Sequence, residues 1–472
     1  MSKRDIINPF NQAVIATLED ATPADALAAV RAARRAFDAG EWPQWTPVHR
    51  AELLREVADL LARNKSDLAR WETVDTGKTL VESEIDVDDV VSVFRYYADL
   101  ATRDHTRTVD AGPGVVSQVR YEPVGVCVLI TPWNYPLLQA SWKVAPALAA
   151  GNTMVVKPSE VTPLTTIKLV ELIEQAGVPA GVVNLVLGAG PEVGPVLTSA
   201  PEVDLVSFTG GLRTGQTIMR SAADTVKKIA LELGGKNPNI VFADADFEAA
   251  VDHALTGVFL HAGQVCSAGT RLIVHEELHD AFVAELVRRA ENIQLGNGLA
   301  PDSRSGPLVS AEHRAKVERH VAQGLAEGAT LLTGGRRPDD PELQAGFFYL
   351  PTIFDHCRRD MSIVQEETFG PILTVETFTT EDEAVELGND TDYGLAGAVW
   401  TADRERGRRV ARRLRHGTVW INDFGPYLPG AEWGGFKRSG IGRELGPTGL
   451  AEYQEAKHVY ENTSPCAENW FG

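Results

Sequence analysis

The chain has 472 residues, 44% of them apolar, which is enough for a sizeable core and two or three domains. Its formal net charge of −20 argues against nucleic acid or an anionic membrane as a partner. The four cysteines form no CxxC pair and no cluster with histidine, so they predict no disulfide framework, no metal site and a cytoplasmic location. The N-terminus lacks the apolar run of a signal peptide, and VGVCVLI (124–130) is too short to span a bilayer.

Helices and strands alternate in the predicted structure. Threonine–proline pairs predict helices over 22–40, 46–70 and 162–177. Between helices lie short runs rich in β-branched residues, namely VGVCVLI, TMVVKP, VVNLVLG, DLVSFTG and PNIVF. This order predicts an α/β fold with a parallel sheet. Residues 101–121 and the last 20 residues look extended, and we expect them to pair with each other or with another subunit.

Two loops that follow predicted strands carry polar side chains. TPWNYP (131–136) follows VGVCVLI, at the strand end where α/β proteins bind ligands, and Asn134 offers an amide donor there. In VVKPSE (155–160), Lys157 and Glu160 can hold ribose hydroxyls, and Glu160 would repel a 2′-phosphate. Each stretch alone also fits an ordinary turn or a solvated strand end.

A glycine-containing turn follows another predicted strand, in SFTGGLRTG (207–215). Gly210 and Gly211 at a helix N-terminus let backbone amides approach a pyrophosphate. The pattern is not GxGxxG, and a plain strand–helix turn is the alternative interpretation.

Cys266 lies among small and polar residues in HAGQVCSAG (261–269), which leaves room for a substrate. Glu232 lies within the apolar segment IALELGG, as either a satisfied core acid or a general base with a raised pKa. A nucleophilic thiol, a water-activating carboxylate and a dinucleotide site together predict aldehyde oxidation. The thiolate adds to the aldehyde, an amide holds the oxyanion, hydride leaves to nicotinamide, and water hydrolyses the thioester.

Seven motifs resemble those of the aldehyde dehydrogenase superfamily, in its order and over nearly the whole chain: TPWNYP, KPSE, FTGG, ELGGK, GQVCSAG, EETFGP (366–371) and WGGFKRSG (433–440). The resemblance implies Cys266 as nucleophile, Glu232 as general base, and an oxyanion site of the Asn134 amide and the Cys266 backbone amide. It implies NAD as cofactor, with Glu160 disfavouring NADP. The cofactor residues it implies are Trp133, Lys157, Ser159, Glu160, Gly210, Gly211, Gly215, Glu367 and Phe369. Many relatives have serine in place of Gly211.

The resemblance also implies how the chain is organised. A Rossmann-type NAD-binding domain is expected over 1–104 and 124–234, and an α/β catalytic domain over 235–445. A small β oligomerisation element is expected over 105–123 and 446–472, which implies a homodimer or homotetramer. Relatives carry a further segment before INPFNQ, so we expect a misassigned start or a trimmed first domain.

A finer resemblance, over 130–152 and the ending KHVYENTSPCAENWFG, is to the bacterial branch of the family that oxidises betaine aldehyde to glycine betaine. A trimethylammonium group binds to aromatic faces, at about 1–2 kcal/mol per desolvated contact. Tyr135, Trp142 and Trp433 stand where that branch has its aromatic box, although core packing is an alternative for each. Leu260 stands where the box often has tryptophan, which leaves open a broader range of cationic aminoaldehydes such as 4-aminobutanal.

Three further interpretations stay open. The acidic run at 86–89 faces either the substrate entrance or solvent. A variant that passes the acyl group to coenzyme A is disfavoured by Glu232, because such enzymes need no water-activating base. A non-catalytic protein on this fold is disfavoured by the joint presence of Cys266, Glu232 and Asn134.

Overall fold

The computed structural model describes residues 2–472 and confirms the predicted α/β class. The strands are β1 (Lys3–Ile7), β2 (Val14–Glu19), β3 (Arg107–Thr108), β4 (Val115–Pro123), β5 (Val126–Ile130), β6 (Thr153–Lys157), β7 (Val183–Leu185), β8 (Leu205–Gly210), β9 (Lys228–Leu233), β10 (Pro238–Val241), β11 (Arg271–His275), β12 (Thr330–Thr333), β13 (Thr352–Asp355), β14 (Ile372–Phe378), β15 (Ala396–Trp400), β16 (Thr418–Ile421), β17 (Gly440–Ile441) and β18 (Gln454–Asn462). The helices are α1 (Pro23–Ala39), α2 (Pro47–Arg63), α3 (Lys65–Thr76), α4 (Leu80–Ala101), α5 (Pro136–Ala150), α6 (Leu164–Gln175), α7 (Gly190–Ser199), α8 (Leu212–Ala223), α9 (Phe247–Phe259), α10 (His279–Ala290), α11 (Ala311–Ala326), α12 (Pro341–Gln344), α13 (Ser362–Gln365), α14 (Glu381–Asn389), α15 (Arg404–Arg413) and α16 (Gly446–Glu452).

The predicted helix starts are mostly confirmed. Thr22 caps α1, because its side chain accepts the Asp25 N–H while the Asp25 carboxylate accepts the Thr22 N–H. The helix ends before Gly40, as predicted. The helix predicted over 162–177 is α6.

The single helix predicted over 46–70 is wrong, because it is two helices, α2 and α3. The break lies at Asn64, whose backbone N–H and side-chain amide both donate to the Leu60 carbonyl, at 3.1 and 2.8 Å. These bonds complete the end of α2 and let the chain change direction before α3 begins.

A six-stranded sheet in the order β17-β9-β8-β5-β6-β7 builds the first layer. Its strands β5 to β9 run parallel, and β17 is antiparallel to β9. The chain runs outward from β5 to β7 on one side and from β8 to β9 on the other. The carboxyl ends of β5 and β8 therefore flank the switch point at which open α/β sheets bind ligands.

A seven-stranded sheet in the order β12-β13-β14-β11-β10-β15-β16 builds the second layer, with β12 antiparallel to β13. Residues 234–237 connect β9 of the first sheet directly to β10 of the second. One continuous apolar core packs α2, α4 and α5 against the first sheet and extends to α9 and β11 of the second.

A three-stranded antiparallel sheet in the order β18-β4-β3 stands apart from the two layers. Strand β18 pairs with β4 along its whole length, from Gln454 opposite Pro123 to Asn462 opposite Val115. This confirms the expected pairing of the two extended segments, and the domain boundaries themselves stay a prediction. Among residues 2–472, no helix is both long and apolar enough to cross a membrane.

Candidate active site

A cleft of about 750 Å³ opens at the carboxyl ends of β5, β6, β8 and β9. It brings together the three predicted catalytic residues, Cys266, Glu232 and Asn134. It is also lined by all but one of the predicted cofactor residues, namely Trp133, Lys157, Ser159, Glu160, Gly210, Gly211, Glu367 and Phe369. Residues from distant parts of the chain therefore share one site.

Gly215 is the predicted cofactor residue that does not line this cleft. It lies in α8, where a Cβ atom would come within 2.8 Å of the Leu233 side chain on β9. The missing side chain lets the helix pack closely on the strand. The structure thus places Gly215 at a helix–strand contact in the first turn of α8, and its part in cofactor binding stays a prediction.

Cys266 lies in the loop between α9 and β11, and its backbone is held by neighbouring segments. The Asn237 side-chain amide donates to the carbonyl oxygens of Cys266 and Ala268, at 2.9 and 3.0 Å. A Cβ atom at Gly235 would come within 2.7 Å of the same Cys266 carbonyl. The glycines of LELGGK therefore allow the connection between the two sheets to pack directly on the cysteine loop.

Burial raises the pKa of the Cys266 thiol well above its usual range, and the carboxylates of Glu232 and Glu367 raise it further. A hydrogen bond from the Ser267 backbone acts in the opposite direction. Among these side chains the thiol is protonated near neutral pH. It therefore needs a proton acceptor before it can act as a nucleophile.

Glu232 lies near the end of β9 and is 3% exposed. Its Oε1 accepts a hydrogen bond from Trp433 Nε1 at 3.5 Å, while its Oε2 has no hydrogen-bond partner in the described part of the chain. Burial raises the pKa of Glu232 to about 8. The sequence leaves two interpretations of Glu232 open, a satisfied core acid or a general base. The unpaired oxygen and the raised pKa of Glu232 favour the general base.

A lysine and a second carboxylate lie close to Glu232. Lys143 Nζ donates to Thr209 Oγ1 at 2.7 Å and forms an ion pair with Glu444. Thr209 is the register partner of Glu232 across β8 and β9. The charge of Glu444 raises the pKa of Glu232, and the charge of Lys143 lowers it. Neither residue is predicted from the sequence; the signal that points to one of them is a lysine inside the apolar helix α5.

Asn134 lies in the loop between β5 and α5 and is 5% exposed. Its Nδ2 donates to the backbone carbonyl of Gln264, two residues before Cys266, at 2.9 Å. One N–H of the amide thus fixes the side chain against the cysteine loop, and the second N–H is left for a ligand in the cleft.

Lys157 and Glu160 lie together at the end of β6. Lys157 Nζ donates to Glu160 Oε2 at 3.0 Å, and the backbone N–H of Gly190 donates to Glu160 Oε1 at 3.1 Å. Burial acts to raise the pKa of Glu160, but the Lys157 charge and these hydrogen bonds outweigh it, so the pKa is lowered. Glu160 is therefore ionised at neutral pH, and its charge faces the cleft that it lines.

The N-terminus of α8 opens onto the same cleft, with Gly211 as its capping residue. A Cβ atom at Gly210 would come within 2.5 Å of the Phe208 ring, whereas one at Gly211 would meet no atom within 4 Å. Packing therefore requires glycine at 210 only. The open space at Gly211 leaves the first amides of the helix accessible to an anion.

Glu367 and Phe369 form the opposite wall. Glu367 Oε1 accepts the Gly235 N–H at 3.0 Å, and burial raises the pKa of this carboxyl to about 7. The Phe369 ring packs on Trp133 with ring centroids 5.2 Å apart. His313, which the sequence analysis misses, packs on Trp133 at 5.0 Å and donates from Nε2 to the Phe369 carbonyl at 2.6 Å. Burial lowers the pKa of His313 to about 4, so its ring is neutral.

The rings of the predicted aromatic box make two sets of contacts. Trp142 and Trp433 pack together with ring centroids 6.0 Å apart, and each is 3% exposed. Tyr427, which the sequence analysis misses, packs on both rings, at 5.2 and 6.3 Å. Tyr135 packs instead on His261, at 5.5 Å. Of the first three rings, Trp433 contacts the predicted general base Glu232 through its indole N–H.

The acidic run at 86–89 lies on α4 beside these rings. Asp86 forms a buried ion pair with Lys78 at 2.5 Å, and the same ammonium lies 3.8 Å from the centre of the Tyr135 ring. Asp89 accepts a hydrogen bond from the Tyr427 hydroxyl at 2.6 Å. Asp89 therefore brings a carboxylate to the three-ring part of the box, while the charge of Asp86 is already paired.

Leu260 lies at the end of α9 with 41% of its surface exposed. Related enzymes often have tryptophan at this position of the aromatic box. Here a half-exposed aliphatic side chain takes its place, so this wall of the box has no ring.

The chain belongs to the aldehyde dehydrogenase family, whose model matches residues 1–459. It is 62% identical over 469 residues to the betaine aldehyde dehydrogenase of Bacillus subtilis, covering 99% of this chain and 96% of that protein. It is 44% identical over 475 residues to the peroxisomal aminoaldehyde dehydrogenase 2 of Pisum sativum, covering 99% and 94%. The crystal structure of betaine aldehyde dehydrogenase from Staphylococcus aureus in complex with NAD+ matches with a TM-score of 0.98 at 55% identity, covering 100% and 93%. The predicted family, fold and enzyme class are confirmed.

Proposed function

We propose that this enzyme oxidises betaine aldehyde to glycine betaine with NAD, through a thiohemiacetal and a thioester on Cys266. The observation that carries the proposal is the single cleft in which Cys266 and the buried base Glu232 meet a site with the features of a dinucleotide pocket. The relative from Bacillus subtilis and the structure from Staphylococcus aureus both have this activity in their names.

The residues of the cleft fit NAD. The Lys157–Glu160 pair offers partners for the hydroxyls of one ribose, and Glu367 offers an acceptor for those of the other. The open N-terminus of α8 at Gly211 suits a pyrophosphate. When bound, NAD supplies the hydride acceptor. The ionised Glu160 favours NAD over NADP, because it would repel an added 2′-phosphate.

The side chains of the enzyme supply nucleophile, base and oxyanion site. Cys266 Sγ attacks the aldehyde carbon as its proton leaves to Glu232, and the amide of Asn134 with the backbone N–H of Cys266 stabilises the alkoxide. Glu232 then releases this proton to solvent, and after oxidation it takes a proton from water as the water attacks the thioester. The thiolate of Cys266 leaves as the carboxylic acid forms, and the proton held by Glu232 returns it to the thiol.

A cationic substrate is supported by the three rings of Trp142, Tyr427 and Trp433 with the Asp89 carboxylate beside them. A trimethylammonium group has no N–H to donate, so aromatic faces suit it. A second candidate substrate is an aminoaldehyde such as 4-aminobutanal. Leu260 favours it, because a box with one open wall encloses a quaternary ammonium less tightly.

We also propose that the enzyme is a cytoplasmic homodimer or homotetramer that assembles through the three-stranded sheet. Side chains on this sheet support assembly, since Val116, Tyr121, Val459 and Tyr460 are exposed on β4 and β18. The free thiols of all four cysteines support a reducing compartment. Light scattering during size-exclusion chromatography tests the assembly; a Val459→Lys/Tyr460→Lys variant should elute as a smaller species, and a wild-type monomer would contradict it.

The function is tested by NADH absorbance with betaine aldehyde, 4-aminobutanal, propanal and succinic semialdehyde. Betaine aldehyde should give the highest kcat/KM. Cys266→Ala should abolish turnover, whereas Cys466→Ala, which changes an exposed thiol, should retain it. A kcat/KM for 4-aminobutanal above that for betaine aldehyde would support the second candidate substrate. If propanal or succinic semialdehyde gives the highest kcat/KM, both cationic substrates are excluded.

A further inference from the structure

The turn that precedes Cys266 has three successive residues in the left-handed backbone conformation. The φ angles are 48° at His261, 53° at Ala262 and 72° at Gly263. This conformation is unfavourable for residues with a Cβ atom, so His261 and Ala262 must be held in it by their surroundings.

Glu82 holds the first of these residues from outside the loop. Its Oε1 accepts the backbone N–H of His261 at 2.7 Å, across 179 positions of sequence. Its Oε2 accepts the backbone N–H and the hydroxyl of Thr79, both at 2.7 Å, which closes the N-terminus of α4. One buried carboxylate thus caps a helix and anchors the turn before the cysteine.

Hydrogen bonds connect this turn to the proposed catalytic residues. The backbone N–H and the Nε2 of Gln264 donate to the His261 carbonyl, at 3.1 and 3.0 Å. The Gln264 carbonyl accepts the Asn134 amide at 2.9 Å, and Cys266 follows two residues later. A shift of His261 therefore moves both the acceptor that orients Asn134 and the segment that carries the thiol.

The opposite side of the turn is closely packed. A Cβ atom at Gly263 would come within 2.2 Å of the Gly370 carbonyl, next to the loop of Glu367 and Phe369. The turn cannot relax toward that loop without a clash. The link to Glu82 therefore acts on a segment that has little freedom to adjust.

We propose that Glu82 is a positioning residue, which sets the orientation of Cys266 and Asn134 through its hydrogen bond with the His261 N–H. The carboxylate does not touch the reacting atoms. The proposal rests on the proposed function only in taking Cys266 as the reacting thiol. Three donors converge on this carboxyl, namely the N–H groups of His261 and Thr79 and the Thr79 hydroxyl, and a side chain with a single acceptor oxygen cannot serve all three at both positions.

The test compares Glu82→Gln with Thr79→Ala. Glutamine keeps the size of the side chain but has a single acceptor oxygen, whereas the N–H groups of His261 and Thr79 and the Thr79 hydroxyl bind to two oxygens of Glu82. One hydrogen bond is therefore lost, and kcat should fall about tenfold, as for one charge-assisted hydrogen bond. The KM for NAD should stay within about twofold, because the cofactor residues lie elsewhere. Thr79→Ala removes the helix-capping hydroxyl and leaves the His261 contact; it should lower the melting temperature with kcat unchanged. Wild-type kcat in Glu82→Gln, or equal loss of kcat in both variants, would overturn the proposal.

A measurement without NAD or aldehyde separates this proposal from the proposed function. The rate of Cys266 alkylation by iodoacetamide, followed by peptide mass spectrometry, should change about threefold or more in Glu82→Gln and stay unchanged in Thr79→Ala. If the wild type forms no NADH with any aldehyde, the proposed function fails and the alkylation rates still decide the role of Glu82. An unchanged alkylation rate in Glu82→Gln would refute the positioning role.

A glycine at position 262 gives a second, independent measurement. Glycine adopts the left-handed conformation readily, so the turn in Ala262→Gly should depend less on its anchor. Adding Glu82→Gln to Ala262→Gly should then lower kcat only about threefold, against about tenfold in the wild-type background. An equal loss in both backgrounds would show that Glu82 does not act through the turn.

Discussion

The indole Nε1 of Trp433 lies 3.5 Å from Oε1 of Glu232, so one hydrogen bond joins the proposed substrate box to the proposed general base. Burial raises the pKa of Glu232, and this hydrogen bond partly lowers it. The N–H of Trp433 thus affects the base, while its ring packs on Trp142 and Tyr427 in the proposed substrate box. The two effects can be separated by substitution.

Trp433→Phe keeps an aromatic ring and removes the N–H donor. The pKa of Glu232 should rise above its value of about 8, so the pH at which kcat is half-maximal should increase. The KM for betaine aldehyde should change little in Trp433→Phe and rise about tenfold in Trp433→Ala, the loss of roughly one desolvated cation–π contact. The measurement is kcat and KM against pH for both variants. An unchanged midpoint in Trp433→Phe would show that the indole N–H does not act on the base.

The wild-type pH profile should follow the ionisation of Glu232. A general base acts in its ionised form, so kcat should rise as the pH increases through about 8. Glu444→Gln removes a charge that raises this pKa and leaves Lys143, whose charge lowers it, without its ion-pair partner. The midpoint should therefore move to lower pH. Glu455→Gln, which removes one exposed negative charge, is the matched control and should leave it unchanged; a shift to higher pH in Glu444→Gln would contradict the assignment.

Glu160→Gln tests the basis of cofactor choice. The variant loses the negative charge that faces the cleft, so the NAD/NADP ratio of kcat/KM should fall about tenfold. Glu171→Gln is a suitable control, because Glu171 forms an ion pair with Lys168 at the same spacing but in an exposed position. If the ratio stays constant in Glu160→Gln, another residue determines the preference for NAD.

Short continuous motifs explain why much of the site could be predicted from the sequence. Cys266, Glu232 and Asn134 each lie in a local pattern, and the sheet topology then brings the three together. Lys143 and Glu444 could not be paired in advance, because their contact joins positions 301 residues apart. The helix break at Asn64 could not be predicted for a different reason. It depends on the hydrogen bond from the Asn64 side-chain amide to the Leu60 carbonyl, and the folded geometry determines which carbonyl accepts that bond. Tyr427 and His313 likewise gain their place in the site only through packing.

The open wall at Leu260 can be closed by substitution. Leu260→Trp puts a ring where the resemblance predicts one, and the side chain at this position is 41% exposed, so a larger one can be accommodated. The KM for betaine aldehyde should fall about threefold, as expected for a partly exposed cation–π contact of about 0.5–1 kcal/mol. The KM for propanal should not fall, because it carries no charge. Leu260→Met, which adds no ring, is the control. An equal decrease in the KM for propanal, or an equal decrease in Leu260→Met, would mean that position 260 contributes apolar contact and not an aromatic face. The preference for a quaternary ammonium would then rest on Trp142, Tyr427 and Trp433.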